Sequence, residues 1–279
     1  MAKVISFVSR KGGTGKTTNA INIATALTEM GKHVVVIETD INYTLSVLRK
    51  RERKRLREGK LIPDLVRTEE TSVVKMIKTF RNDGVTDYVI VDTAAGNTTS
   101  YCTNRLCVAS DMVIVPTSLS INDVLVTEET LKEILPAKKE NPALKVFLLP
   151  NRIHSLTSDE TIRNALAHLN APVLNVFIPN KKTFTYTSTV RPAEGYAAVV
   201  NKILNLLEPE SEQVEILNPE DSRLAEPVNE EHTPELEIYN TEGVPVIESV
   251  HHDLTDDSEA ASEESIQQEE PVQRQFRQD

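Results

Sequence analysis

The 279-residue sequence has no tryptophan, two cysteines and no long apolar run. Each shortage narrows what the chain can be. Cys102 and Cys107 form no metal-ligand spacing with any histidine, which argues against a zinc or cluster centre and for a reducing, cytoplasmic setting. No stretch approaches the roughly 20 consecutive apolar residues of a membrane span, and the N-terminus carries no apolar segment of signal-peptide length. His251-His252-Asp253 is too small a cluster to constitute a metal site.

Charge is divided rather than scarce. The net charge is −11, but residues 209–279 hold 21 Asp/Glu against 3 Arg, a net −18, so residues 1–208 are at +7. The composition shifts abruptly at the same place, to proline, glutamate and serine. The expectation is a folded basic domain over 1–208 followed by an acidic, disordered tail over 209–279. Three short apolar islands, at 214–217, 236–239 and 244–247, interrupt the tail.

The most informative stretch is the first eighteen residues. Lys3 to Val8 is rich in β-branched residues and reads as a buried strand. It runs into Ser9-Arg10-Lys11-Gly12-Gly13-Thr14-Gly15-Lys16-Thr17-Thr18 and then into a helical pattern from Asn19 to Met30. Strand, glycine-rich turn and helix start are the context of a phosphate-binding loop: backbone N–H groups close around an anion and the free N–H groups of the new helix point at it. Lys16 would reach the β- and γ-phosphates, and the Thr17 hydroxyl would ligate Mg²⁺. The usual G-x-x-x-x-G-K-[ST] pattern wants a glycine where this chain has Arg10, and a second lysine, Lys11, precedes the glycines. That variant resembles the deviant Walker A loop of the ParA/MinD family of P-loop ATPases.

Further strand ends fit an α/β nucleotide-binding domain. Val34-Val35-Val36-Ile37 ends in Glu38-Thr39-Asp40, and Tyr88-Val89-Ile90-Val91 ends in Asp92, a Walker B form. Glu38 and Asp40 can alternatively cap the following helix. Met112 to Thr117 and Lys145 to Leu149 are further strands, the second followed by Pro150-Asn151-Arg152. Helices are expected over 71–80, 121–135, 158–169 and 193–207, with a sixth strand over 173–178. Six strands alternating with helices predict a mostly parallel sheet with helices on both faces. Arg49 to Lys60 carries eight basic residues and two acidic ones, spread around most of a helix. It reads either as a phosphate-backbone contact or as a solvated helix. No aromatic residue interleaves it for base stacking, so a nucleic-acid contact there would be sequence-blind.

The ParA/MinD resemblance covers residues 1–208 and implies more than the residues alone. It implies ATP and Mg²⁺ as cofactors, with the nucleotide held by Lys11, Gly12, Gly13, Thr14, Gly15, Lys16, Thr17 and Thr18 and its adenine edge met by Asn151. Thr17 and, through water, Asp92 would hold the metal. Asp40 would orient or activate the attacking water beside Lys11 and Lys16. Glu38 stands where the family usually has an aspartate, and its longer side chain is expected to disturb the water around the metal. The family commonly has a proline after the Walker B strand, and here Thr93-Ala94-Ala95-Gly96 lacks it. Asn180-Lys181-Lys182-Thr183 lacks the aspartate of a guanine-reading motif, which argues against GTP.

By the same resemblance the protein forms an ATP-dependent homodimer in which Lys11 of each subunit reaches the other's nucleotide. The dimer then grips DNA without regard to sequence, through Lys181, Lys182 and Arg191, and associates with the nucleoid. A ParB-like or other partner stimulates weak hydrolysis. The function implied is partition or positioning of plasmid or mobile-element DNA. The alternative is recruitment of non-DNA cargo or of a conjugative transfer complex, as in the VirC-type relatives. A MinD-like membrane role is disfavoured because no basic amphipathic helix follows the domain. A nitrogenase-iron-protein-like reductase is disfavoured because its cluster needs cysteines presented differently.

Overall fold

The computed structural model describes residues 1–55, 59–96, 100–181 and 187–207. The expected tail over 209–279, with its apolar islands and His251–Asp253, lies outside the described residues, as does Lys182.

Seven parallel strands form one sheet in the order β3-β2-β4-β1-β5-β6-β7. They are β1 (Lys3–Phe7), β2 (Val34–Glu38), β3 (Asp64–Arg67), β4 (Tyr88–Asp92), β5 (Met112–Thr117), β6 (Lys145–Ile153) and β7 (Ile178–Pro179). The helices are α1 (Lys16–Glu29), α2 (Thr44–Glu52), α3 (Val73–Arg81), α4 (Ser100–Val108), α5 (Ile121–Ile134), α6 (Asp159–Leu166) and α7 (Tyr196–Leu207). The inner strands β2, β4 and β5 are buried along their whole length. This is why they read as near-continuous Val/Ile runs rather than as alternating patterns.

Alternation nonetheless decides which layer each side chain joins. Val35, Ile37, Val89, Val91, Val113 and Val115 point into a core shared with Val73 and Ile77 of α3, Leu106 of α4, Leu131 and Ile134 of α5, and Ile162 of α6. Their neighbours Val34, Val36, Ile90 and Ile114, with Ile5 and Phe7, face α1, Leu45 of α2, and Tyr196, Val199 and Ile203 of α7. Helices therefore cover both faces, as expected. Two buried asparagines fix α1 against the α7 end of the chain. Tyr196 Oη donates to Asn19 Oδ1 at 2.9 Å, and Ala193 N donates to Asn22 Oδ1 at 2.6 Å.

Three expectations need correction. The sheet has a seventh strand, β3, which pairs with β2 at the edge. Its four residues Asp-Leu-Val-Arg are only half covered, so no apolar run announces it. The last strand is shorter than 173–178: Val173 makes one isolated parallel bridge to Leu148, and regular pairing begins at Ile178. Over its described part, residues 49–55, the basic stretch is not one solvated helix. Helix α2 tightens into a 3₁₀ turn at Arg53–Arg55, and Arg49 is buried.

Strand β1 lies between β4 and β5, so the loop that follows it opens at the centre of the sheet's C-terminal edge. Phe7 pairs with Asp92 and Glu38 pairs with Asp92, which puts the loop, Glu38 and Asp92 on one level. Open parallel sheets bind ligands at this edge.

Candidate functional site: a phosphate-binding loop at the sheet's centre

Helix α1 begins without a side-chain cap, from Gly15 at φ 103°. By contrast, Ser120 and Ser158 each accept a backbone N–H at the starts of α5 and α6. An uncapped start leaves helix N–H groups for an anion, and no acidic residue lies in the first turn of α1 to compete. Any side chain at Gly15 would be strained. A Cβ there would lie 2.2 Å from Asn151 Nδ2, in a backbone conformation that L-residues rarely adopt.

Lys16 is 5% exposed, and its ammonium donates to the carbonyls of Ser9 at 3.0 Å and Lys11 at 3.1 Å. Burial pulls its pKa below the usual lysine value, while the charges of Asp92 and Asp40 oppose that shift. The Thr17 hydroxyl donates to Asp92 Oδ1 at 3.1 Å. Asp92 Oδ2 is buried without a hydrogen-bond partner. Burial pushes this carboxyl up to about 7, against the Thr17 hydrogen bond and the Lys16 charge. A buried carboxylate oxygen with nothing to accept from, beside a threonine hydroxyl, is the donor set a hard divalent cation takes, directly or through water. The residues fit Mg²⁺ bound with a nucleotide. Asp40 borders the same space with Gly13, Gly15, Lys16, Thr17, Thr18 and Thr93. Its Oδ1 accepts from Asn42 N at 2.9 Å in a local turn.

Glu38 does not face this space. Its Oε1 accepts from Leu45 N at 2.7 Å, and its Oε2 accepts from Ser46 N at 3.2 Å and Ser46 Oγ at 2.7 Å. Both oxygens are spent on the start of α2, so of the two carboxylates Glu38 is the helix cap. Its charge still reaches Asp92 and helps to raise that carboxyl.

The two loop lysines behave differently. Whereas Lys16 folds into the loop, Lys11 leaves it, and its Nζ lies 2.5 Å from Asp123 Oδ1 in the first turn of α5. Asp123 Oδ2 also accepts from Ser118 Oγ at 2.6 Å and from Arg152 at 3.3 Å. Burial opposes ionisation of Asp123, but these donors and the nearby cations hold its carboxyl below the ordinary range. Sequence reasoning missed Asp123 as a partner of Lys11. Ser120-x-x-Asp123 reads as a helix-capping pair, and Ser120 does cap Asp123 N, but the aspartate side chain turns to a lysine 112 residues away.

Asn151 lies at the end of β6, 5% exposed, with its Nδ2 donating to Thr14 O at 2.6 Å. The structure therefore brings Asn151 against the loop's backbone. Lys181 and Arg191 are both exposed. They lie apart in the fold, with Lys181 just past β7 at one sheet edge and Arg191 two residues after Thr189, which is bonded to α2.

Asp92 provides a test that needs no nucleotide. Its folded-state pKa of about 7 lies above the ordinary 3.8, so the folded protein holds this proton more tightly than the unfolded chain. Its contribution to stability falls as pH rises from about 4 to 7 and stays low above that. In EDTA, Asp92→Asn should be more stable than the unsubstituted protein at pH 8, by up to roughly 4 kcal/mol, with the gap shrinking toward pH 5. Thermal melts across that range check it. A less stable Asp92→Asn at pH 8 would mean that the carboxylate is well satisfied.

Comparison with known proteins agrees with this geometry. Residues 5–189 match the family described as the CobQ/CobB/MinD/ParA nucleotide binding domain. The protein VirC1 of Rhizobium rhizogenes is 28% identical over 173 residues, spanning 60% of this chain and 73% of its own. The maintenance of carboxysome distribution protein A of Halothiobacillus neapolitanus is 24% identical over 184 residues, 66% of this chain and 82% of its own. Among solved structures, cobyrinic acid a,c-diamide synthase from Mycobacterium smegmatis with bound ADP and magnesium superposes at a TM-score of 0.57. It shares 21% identity over 75% of this chain and 96% of its own, and so supports the fold. With an uncapped helix behind a glycine loop, Lys16 and Thr17 at its start and a buried aspartate opposite, the chain belongs to the CobQ/CobB/MinD/ParA nucleotide-binding family.

Proposed function

We propose that this protein is a dimerising ATPase of the ParA type, which binds duplex DNA without regard to sequence and partitions or positions plasmid or other mobile-element DNA. The observation that carries this reading is the division of labour between the two lysines. Lys16 is built into its own loop, whereas Lys11 is 40% exposed at its side chain and engaged outside the loop, on α5. A lysine so placed can serve a second subunit's nucleotide without dismantling its own site.

Residues 1–208 are the ATPase domain in this reading, and 209–279 a separate acidic segment. Gly12 to Thr18 wrap the phosphates, and Lys16 balances the charge that develops on the phosphoryl group. Thr17 and, through water, Asp92 would hold Mg²⁺, which would supply neutralisation of phosphate charge. Asp40 borders the same space and orients or activates the attacking water. Asn151 spends its amide nitrogen on Thr14, which leaves the carboxamide oxygen to accept from the amino group of adenine. Lys181, Lys182 and Arg191 contact DNA phosphates. Hydrolysis is weak alone and stimulated by a ParB-like or other partner, and the protein is cytoplasmic and nucleoid-associated when ATP-bound. No helix among the described residues is long and apolar enough to cross a membrane.

Anisotropy with a random-sequence duplex tests the reading. Binding should require ATP, fail with ADP, and weaken roughly tenfold or more between 50 and 200 mM salt. Similarity to VirC1 and to the carboxysome distribution protein favours a second reading, positioning of non-DNA cargo or a transfer complex. ATP-dependent dimers that bind no DNA would select it.

A further inference from the structure

Residues 49–54 hold five cations in six positions. Exposed lysines outside ion pairs occur elsewhere too, Lys75, Lys78, Lys138 and Lys139 among them, so what marks this stretch is clustering. Arg10, Lys11, Arg81, Lys132 and Arg152 each have a carboxylate within ion-pair distance. Among the described residues Lys50, Arg51, Arg53 and Lys54 have none, and all four are exposed. The backbone that carries them is held in place, because the two other ionic residues of the stretch are bonded into the fold. At about 100° per residue, Arg49 and Glu52 share one side of α2 and Lys50 and Arg51 lie on its other sides, while Arg53 and Lys54 open the 3₁₀ turn that follows.

The anchor is a closed set of hydrogen bonds to the loop before α7. Arg49 Nε donates to Thr189 Oγ1 at 2.7 Å, and its Nη2 donates to Thr189 O at 2.8 Å and to Pro63 O at 2.9 Å. Glu52 Oε2 accepts from Thr189 N at 2.8 Å and from Thr189 Oγ1, while its Oε1 accepts from Ser188 Oγ at 2.7 Å. Thr189 is fully buried, and Ser188 and Arg49 are nearly so. Two segments 140 residues apart are thereby locked together, and exposed Arg191 comes to lie near the end of α2. Residues 49–54 carry no aromatic for base stacking and no apolar side chain, although Val47, earlier on α2, is exposed.

We infer that α2 and the loop before α7 form one preorganised cationic surface that docks duplex DNA through its phosphates, with Arg49 and Glu52 as positioning residues rather than contacts. The inference rests on the DNA-binding reading above and assigns it a place. Lys181, past β7 at the sheet edge opposite β3, contributes less than α2 does.

Two variants of the full-length protein test it, by anisotropy with a random-sequence 40-base-pair duplex, ATP and Mg²⁺. Replacing Lys50, Arg51, Arg53 and Lys54 together with Ala should weaken binding at least about tenfold at 100 mM salt. It should also reduce the slope of log affinity against log salt by about 3 to 4 per protomer. A control with the same charge loss on the other face, Lys75, Lys78, Lys138 and Lys139 to Ala, should change it less than threefold. Glu52→Gln supplies a sign test. It removes a negative charge from the surface, so a mere cloud of cations would bind more tightly, whereas a surface that depends on its anchor binds at least about threefold more weakly.

Sedimentation with ATP confirms that each variant still dimerises. Equal losses in the α2 variant and the control, or unchanged or tighter binding by Glu52→Gln, would overturn the inference while leaving the DNA-binding reading intact. No duplex binding by the unsubstituted protein would remove that reading and the inference with it. Binding of the α2 surface to phosphatidylserine vesicles but not to duplex would overturn the choice of partner.

Discussion

Lys16→Ala should lower nucleotide affinity about tenfold to a hundredfold, whereas Lys11→Ala should leave affinity within about threefold and abolish ATP-dependent dimerisation. The first magnitude is that of one or two charge-assisted hydrogen bonds in a nearly buried site. Removing Lys16 also orphans two loop carbonyls and takes away a cation that favours ionised Asp92. Removing Lys11 costs the fold little, because Asp123 keeps Ser118 and Arg152 as partners. Equilibrium dialysis with a labelled nucleotide and sedimentation with a slowly hydrolysed ATP analogue separate the two variants. A normal dimer from Lys11→Ala would reject the cross-subunit role.

Asp40→Ala should leave the ATP dimer intact and slow turnover about a hundredfold or more, the range for losing a group that orients a reacting water. The carboxylate makes one local hydrogen bond, to Asn42 N, so its loss is tolerable for folding. Glu38→Asp makes the contrast. One methylene shorter, it loses its reach to Leu45 and Ser46 and should lower stability by about 1 kcal/mol without raising the hydrolysis rate. Single-turnover hydrolysis and thermal melts measure both. Normal turnover by Asp40→Ala would end its assignment to the water.

Local signals in the sequence were reliable where one segment determines its own structure. The loop from Ser9 to Thr18 announces itself because glycine spacing, strand and helix are contiguous. The inner strands announce themselves because burial on both faces demands unbroken Val/Ile. Asp92 follows, since a strand's last residue at the sheet's C-terminal edge faces the loop. What stayed hidden depends on residues distant in sequence. Strand β3 is an edge with little to bury. Arg49 looks like its basic neighbours, and only Thr189, 140 residues on, makes it an anchor. Glu38 looks like a stand-in for the family's aspartate until α2 is seen starting six residues later, with Leu45 N against its oxygens. Lys11 and Asp123 lie 112 residues apart, and nothing local pairs them.

The central claim is that nucleotide bound at the loop assembles two copies of this chain. Sedimentation velocity of the unsubstituted protein, with and without a saturating slowly hydrolysed ATP analogue and Mg²⁺, addresses it most directly. The account predicts a monomer without nucleotide and with ADP, and a doubling of mass with the analogue. A monomer at saturating analogue, with binding verified in the same sample, would contradict it.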